Sequence, residues 1–191
     1  MMGTPTGVDN MKRALLTIAA ATIGISVAGA QSAPPSGVKK STIPGITNFA
    51  QVETTVACAG AITPASVAGI KKMGFASIIN LRLADEKGAD IDAEADAAKL
   101  AGIRFVHLPM SSSAPDPAVA DRFIKIITEP GTEPAFIHCA SGNRAAALWL
   151  IKRVLVDKWD NDRAVEEAAQ LGLTNPALKT FALDYIQAHK K

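Results

Sequence analysis

Three short runs of β-branched and apolar residues constrain this chain more than anything else in it. They are Ala76-Ser77-Ile78-Ile79-Asn80-Leu81, Ile103-Arg104-Phe105-Val106-His107-Leu108 and Ala135-Phe136-Ile137. Each is short for a helix and reads as a buried strand. Between them lie stretches of helical character. Asp92 to Ala101 is alanine-rich and closed by Gly102, and Val119 to Thr128 carries Phe123, Ile126 and Ile127 on one face before Pro130-Gly131. Buried strands that alternate with helices form parallel sheets, because each crossover helix returns the chain to the edge where it started. The predicted fold is α/β: a mostly parallel sheet with helices on both faces. In such sheets the ligand sits beyond the carboxyl ends of the strands.

The remaining elements extend that frame. Val52 to Ala57 reads as a first strand. Thr63-Pro64 supplies an N-cap and a first-turn proline for a helix with Val67, Ile70 and Met73, ending at Gly74. Helices are expected over Arg144–Val156, Asp162–Leu171 and Pro176–His189, with Asn161-Asp162 and Asn175-Pro176 as starts. Residues 31–48 are small, polar and proline-bearing through Pro44-Gly45 and read as a linker, so the domain is assigned to residues 49–191. Residues 1–30 have the pattern of a signal peptide: Lys12-Arg13, an apolar run from Ala14 to Val27, and Ala28-Gly29-Ala30 as a cleavage site. That run is shorter than the ~20 residues that span a bilayer. The expectation is a periplasmic or secreted protein with no stable membrane insertion after cleavage.

Composition excludes some partners. A formal charge of +2 is too small to argue for nucleic acid or a membrane surface. The three histidines and two cysteines lack metal-ligand spacing, so no metal or other cofactor is expected.

The chemistry gathers at His138-Cys139-Ala140-Ser141-Gly142-Asn143-Arg144, between the last apolar run and a helix. Loop amides and the free N–H groups of a first helical turn converge there on one point, an anion cradle. The same field favours the thiolate of Cys139, which makes it a nucleophile. Arg144 adds a planar, permanently charged fork, and a cation at a helix start opposes the macrodipole unless an anion compensates it. His138, Ala140, Ser141, Gly142 and Asn143 are the remaining loop candidates. His138 is expected to pack at the strand end and bond the loop backbone. Asn143 either braces the loop or faces solvent.

His-Cys-x-x-Gly before an arginine resembles the signature loop of the protein tyrosine and dual-specificity phosphatases. Gly74-Phe75-Ala76-Ser77-Ile78-Ile79-Asn80-Leu81-Arg82 and Ala101 to Pro109 resemble two strands of small bacterial members. The chain is most similar to the beta-lactamase-hydrolase-like, phosphatase-like family, over about residues 47–188. The resemblance implies a cysteine-phosphatase-like fold and hydrolysis of phosphate monoesters through a phosphocysteine, with Cys139 and Arg144 catalytic. Three departures stand out. Four residues, not five, separate Cys139 from Arg144. Ala145 replaces the usual Ser or Thr. Ser111, Ser112 and Ser113 fill the stretch where the family's general acid lies, leaving Asp116 as the nearest acid, or else a helix cap.

A four-residue loop is also that of rhodanese sulfurtransferases, which resemble Cys-x-Ser-Gly-Asn-Arg but not the rest of the chain. The alternatives are therefore sulfur transfer through a Cys139 persulfide, or an anion-binding module without turnover. The expected partner is a phosphorylated or sulfur-bearing small molecule or protein. Beyond the loop, Arg82 leaves a strand at the same edge. Asp85 and Glu86 form either pocket groups or a solvated turn, Cys58 is either core filler or a disulfide partner of Cys139, and Lys152, Arg153 and Lys158 read as a solvated face.

Overall fold

The computed structural model describes residues 37–190, so residues 1–30, read as a signal peptide, lie outside the described residues. Its strands are β1 (Val38–Ile43), β2 (Ile46–Val52), β3 (Val56–Ala59), β4 (Ser77–Asn80), β5 (Arg104–His107) and β6 (Ala135–His138). Its helices are α1 (Val67–Lys72), α2 (Ile91–Ala101), α3 (Pro117–Ile127), α4 (Asn143–Leu155), α5 (Asn161–Gln170) and α6 (Pro176–His189). The sheet runs β1-β2-β3-β6-β4-β5. β3, β6, β4 and β5 are parallel, and β1 and β2 join as an antiparallel extension. β6 thus lies at the centre, flanked by β3 and β4.

Strand period decides which side chain meets which helices. Cys58, Ile79, Ala135 and Ile137 face a large core shared with α3 to α6. Ala57, Ile78 and Phe136, one residue out of phase, face a smaller core with α1 and α2. Both faces are covered, which is why β4 and β6 are uniformly buried and show no alternation in sequence. α4 is buried from Arg144 through Lys152 and packs at the centre of the larger layer. Truncating a fully buried residue such as Ile137 to Ala costs about 2–5 kcal/mol in such a core.

The N-terminal expectation needs correction. Residues 38–48 are not linker but a hairpin that adds β1 and β2 to the sheet. Pro44-Gly45 is its turn, joining the paired residues Ile43 and Ile46. Gly45 has φ +77, and a Cβ there would sit 2.6 Å from Thr63 Oγ1, so only glycine fits. β1 hides as a strand because Lys39, Lys40 and Ser41 are exposed on an edge, where lysines block further pairing. The single strand expected over Val52–Ala57 is instead the end of β2, a turn at Glu53 with φ +44, and the start of β3.

Candidate active site

The loop after β6 is fastened from outside. Cys139 N donates to Ala59 O at 3.2 Å, and Ala61 N donates to Ala140 O at 3.1 Å. Gly60 and Ser141 form an isolated bridge, and Asn48 Nδ2 donates to Ser141 O at 3.2 Å. A Cβ on Gly60 would lie 3.0 Å from Ala140 O and 3.1 Å from Thr47 Cβ, so that strand end approaches the loop as closely as its backbone allows. Gly142 adopts φ +98 as the N-cap of α4, and its N–H points at Cys139 Sγ, 3.1 Å away. That backbone donor fixes the position of the sulfur against the first turn of α4. Asn143 braces rather than faces solvent: its Oδ1 accepts from Thr174 N and Asn175 N, both at 2.7 Å, and its Nδ2 reaches Ser141 Oγ at 3.3 Å. The α5–α6 connection is thereby tied to the loop.

Arg144 is 4% exposed and multiply held. Nη1 donates to Met110 O at 2.7 Å, to Leu81 O at 3.1 Å and to Glu86 Oε1, while Nη2 donates to Glu86 Oε2 at 2.9 Å. The Cys139 side chain also acts on its charge. Burial works against its charge, but Glu86 and Cys139 outweigh burial and raise its pKa. The fork predicted for an oxyanion is real, and a carboxylate grips one side of it.

That carboxylate belongs to Glu86, weighed in the sequence as pocket group or solvated turn. Burial pushes its pKa up, yet the Arg144 bond, the Leu83 N–H at 2.9 Å and Arg82 together bring it down to about 2. Arg82 holds the turn: Nη1 and Nη2 donate to Gly88 O and Lys87 O at 2.7 and 2.6 Å, and Nε lies 3.4 Å from Glu86 Oε2. Arg82 therefore acts on the site through Glu86.

Two expectations change, those for His138 and for Lys152 with Arg153, while Asp116 takes up the cap weighed for it in the sequence. His138 does not bond the loop backbone through its ring. It is fully buried toward α2, with Nε2 3.1 Å from Glu94 Oε2, because it shares the sheet face of Phe136 and not that of Ile137. Asp116 is the N-cap of α3, its Oδ1 accepting from Ala118 N at 2.9 Å. Lys152 and Arg153 are not a solvated face: Lys152 reaches Glu133 and Asp157 at 3.0 Å, and Arg153 pairs with Glu167 at 2.7 Å. Lys158, by contrast, is exposed and donates to Leu155 O at 2.8 Å.

Cys58 and Cys139 are both free and buried. Cys58 stands opposite Ile137 in the β3–β6 register, one diagonal step from Cys139 on the same core face. Burial, then the neighbouring Cys139, pushes its thiol well above the usual range. A cleft of about 800 Å³ lies against the outer wall of the loop, meeting it at Ser141 and Asn143. Lys40, Asn48 and Thr174 also line it.

Comparison with known proteins places this geometry. The described chain superposes on a candidate phosphatase of the DUF442 group from Shewanella putrefaciens with a TM-score of 0.65, at 17% identity, covering 77% of this chain and 96% of that one. TpbA from P. aeruginosa gives 0.60 at 20% identity, covering 82% and 92%. The core catalytic domain of the S. cerevisiae PP-IP phosphatase Siw14 gives 0.60 at 19%, covering 76% and 88%. At these identities the likeness establishes a cysteine-phosphatase-like fold. No curated protein matches the sequence. Residues 48–156, which run from β2 through the loop to the end of α4, match the phosphatase-like domain of the beta-lactamase hydrolase-like protein, and the chain belongs to that family.

Proposed function

We propose that the protein is a cysteine-dependent phosphatase acting on phosphate monoesters. One observation carries the reading: a buried Cys139 Sγ with the Gly142 N–H 3.1 Å away, at the start of the helix that carries the buried Arg144. In this reading Sγ attacks phosphorus as the P–O bond to the alcohol breaks, and the electron pair leaves on that oxygen. Loop amides and Arg144 hold the equatorial oxygens, where negative charge is greatest. Water then attacks the phosphocysteine and releases phosphate. The relatives fit this chemistry: TpbA has been crystallised with phosphotyrosine, and Siw14 is a PP-IP phosphatase.

Glu86 is held ionised and Asp116 caps α3, so neither is placed as a proton donor to the leaving group. Good leaving groups, aryl phosphates above all, are the expected substrates, since they need least protonation. The cleft beside the loop carries Lys40 and no carboxylate, which suits a substrate with further acidic groups. A protein that begins with residues 1–30 as found here is proposed to work in a periplasm or outside the cell, which fractionation of the native host would test.

The four-residue spacing from Cys139 to Arg144 favours one competitor, sulfur transfer through a persulfide. A paired assay separates them: p-nitrophenyl phosphate hydrolysis and thiosulfate-to-cyanide transfer, each with wild type and Cys139→Ser. Phosphate release that survives the substitution would sink the phosphatase reading. Thiocyanate production lost in Cys139→Ser, with no phosphate release in wild type, would establish the sulfurtransferase.

A further inference from the structure

We propose that Glu94 is a positioning residue for the active loop, acting through His138 and Asn80. The inference rests on Cys139 being the reactive centre. Glu94 is 1% exposed in a helix that otherwise buries only Ala98. An apolar side chain in that buried place would avoid desolvating a carboxylate. Instead its Oε2 accepts from Asn80 Nδ2 at 2.7 Å and lies 3.1 Å from His138 Nε2. The imidazole contact is off the N–H direction, and Glu94 Oε1 and both ring nitrogens lack an aligned hydrogen bond. A buried polar group kept in this state points to a role other than stability.

Its location supplies the role. Asn80 and His138 stand opposite each other in register as the last residues of β4 and β6. Beyond them the chain divides into the two halves of the site. After His138 comes Cys139. After Asn80 come Leu81, whose carbonyl accepts from Arg144, and Arg82, whose N–H donates to Asn80 Oδ1 at 2.8 Å and whose guanidinium holds the Glu86 turn. One carboxylate from α2 thus bonds the end of β4 and lies against the end of β6, where the two strands lead into the arginine clamp and the nucleophile. Misplacing reacting groups by about 1 Å can cost ~100-fold in rate.

The test reads Cys139 reactivity directly, through the rate of alkylation by iodoacetate at pH 7 with the modified residue located by mass spectrometry. Urea unfolding is followed on the same samples. Glu94→Met should slow alkylation by about 10- to 100-fold and also lower stability, because His138 and Asn80 lose their partner. Glu94→Gln keeps an oxygen for Asn80 and should recover most of the rate. Replacing both members, as Glu94→Met with His138→Phe, removes the unpaired buried group and should restore stability while alkylation stays slow. Rate and stability returning together in the double variant would reduce Glu94 to a structural residue and overturn the proposal. So would a Glu94→Met protein that alkylates within about twofold of wild type. Alkylation needs no turnover, so a wild-type protein inert toward p-nitrophenyl phosphate defeats the phosphatase reading and leaves this test intact.

Discussion

Glu86→Gln is the most informative single substitution, because one carboxylate carries both a stability effect and a functional one. The Glu86 pKa falls from 4.5 to about 2 on folding. At about 1.4 kcal/mol per unit that shift corresponds to ~3 kcal/mol, and to about 2 kcal/mol once the solvent reaching a side chain 21% exposed is allowed for. The sign follows from linkage. A depressed carboxylate contributes stability that is complete above its unfolded pKa and is lost as pH falls through the folded one. Wild type should therefore exceed Glu86→Gln by about 2 kcal/mol at pH 7, and the gap should narrow steadily between pH 4.5 and about 2. Urea denaturation at pH 7, 5, 4 and 3 measures it.

The same substitution removes the negative partner of Arg144 and leaves the guanidinium held by Leu81 O and Met110 O. Turnover should fall about tenfold or more, as loss of a positioning contact does, because the fork can then rotate away from Cys139. A gap that stays constant from pH 7 to 3 would refute the ionised Glu86–Arg144 clamp. So would a variant with wild-type stability at pH 7.

Other consequences are simpler to state. Asp116→Ala should lose about 1 kcal/mol of stability as a cap and keep hydrolysis of p-nitrophenyl phosphate within about threefold; a 100-fold fall would make Asp116 the general acid after all. Gly45→Ala should destabilise the hairpin by more than ~1 kcal/mol, since φ +77 and a contact at 2.6 Å oppose it; a neutral thermal shift would argue against that turn. Asn143→Ala frees the Thr174 and Asn175 amides from the loop and should raise hydrogen exchange at both; unchanged protection would remove Asn143 as the brace. Cys58 should resist iodoacetamide at pH 8 in the folded protein, because its thiol is buried and its pKa raised; equal labelling of Cys58 and Cys139 would contradict that placement.

What could be read from the sequence was local. The run Ala135–Ile137 and the loop after it carry their own signals, and so does α6, whose limits at Pro176 and His189 follow from Asn175 as a cap with two amide partners. α4 was legible as a helix but not as a core element. With residues Arg144 through Lys152 buried all round it has no polar stripe, and Arg153 finds its partner Glu167 fourteen positions away on α5. The β1–β2 hairpin escaped for the opposite reason: an exposed edge strand of lysine and serine looks like linker until Pro44-Gly45 is taken as a turn.

Glu86 and Glu94 mark the deeper limit. Neither lies in a motif: in sequence Glu86 is either a pocket group or part of a solvated turn, and Glu94 is one acid of an alanine-rich helix. Their importance arises from register. β4 and β6 pair so that Asn80 stands opposite His138, which lets Glu94 reach both strand ends while the turn after β4 carries Glu86 to Arg144. A cysteine, a glycine and an arginine announce an anion site wherever they occur at this spacing. What makes the arginine point and the loop stay open is a second layer of carboxylates, and only the sheet brings that layer into place. The four-residue spacing makes this layer matter more, since a shorter ring offers fewer amides of its own and leans harder on Arg144. If that is right, weakening Glu86 or Glu94 should impair Cys139 chemistry whether the group transferred is phosphoryl or sulfur.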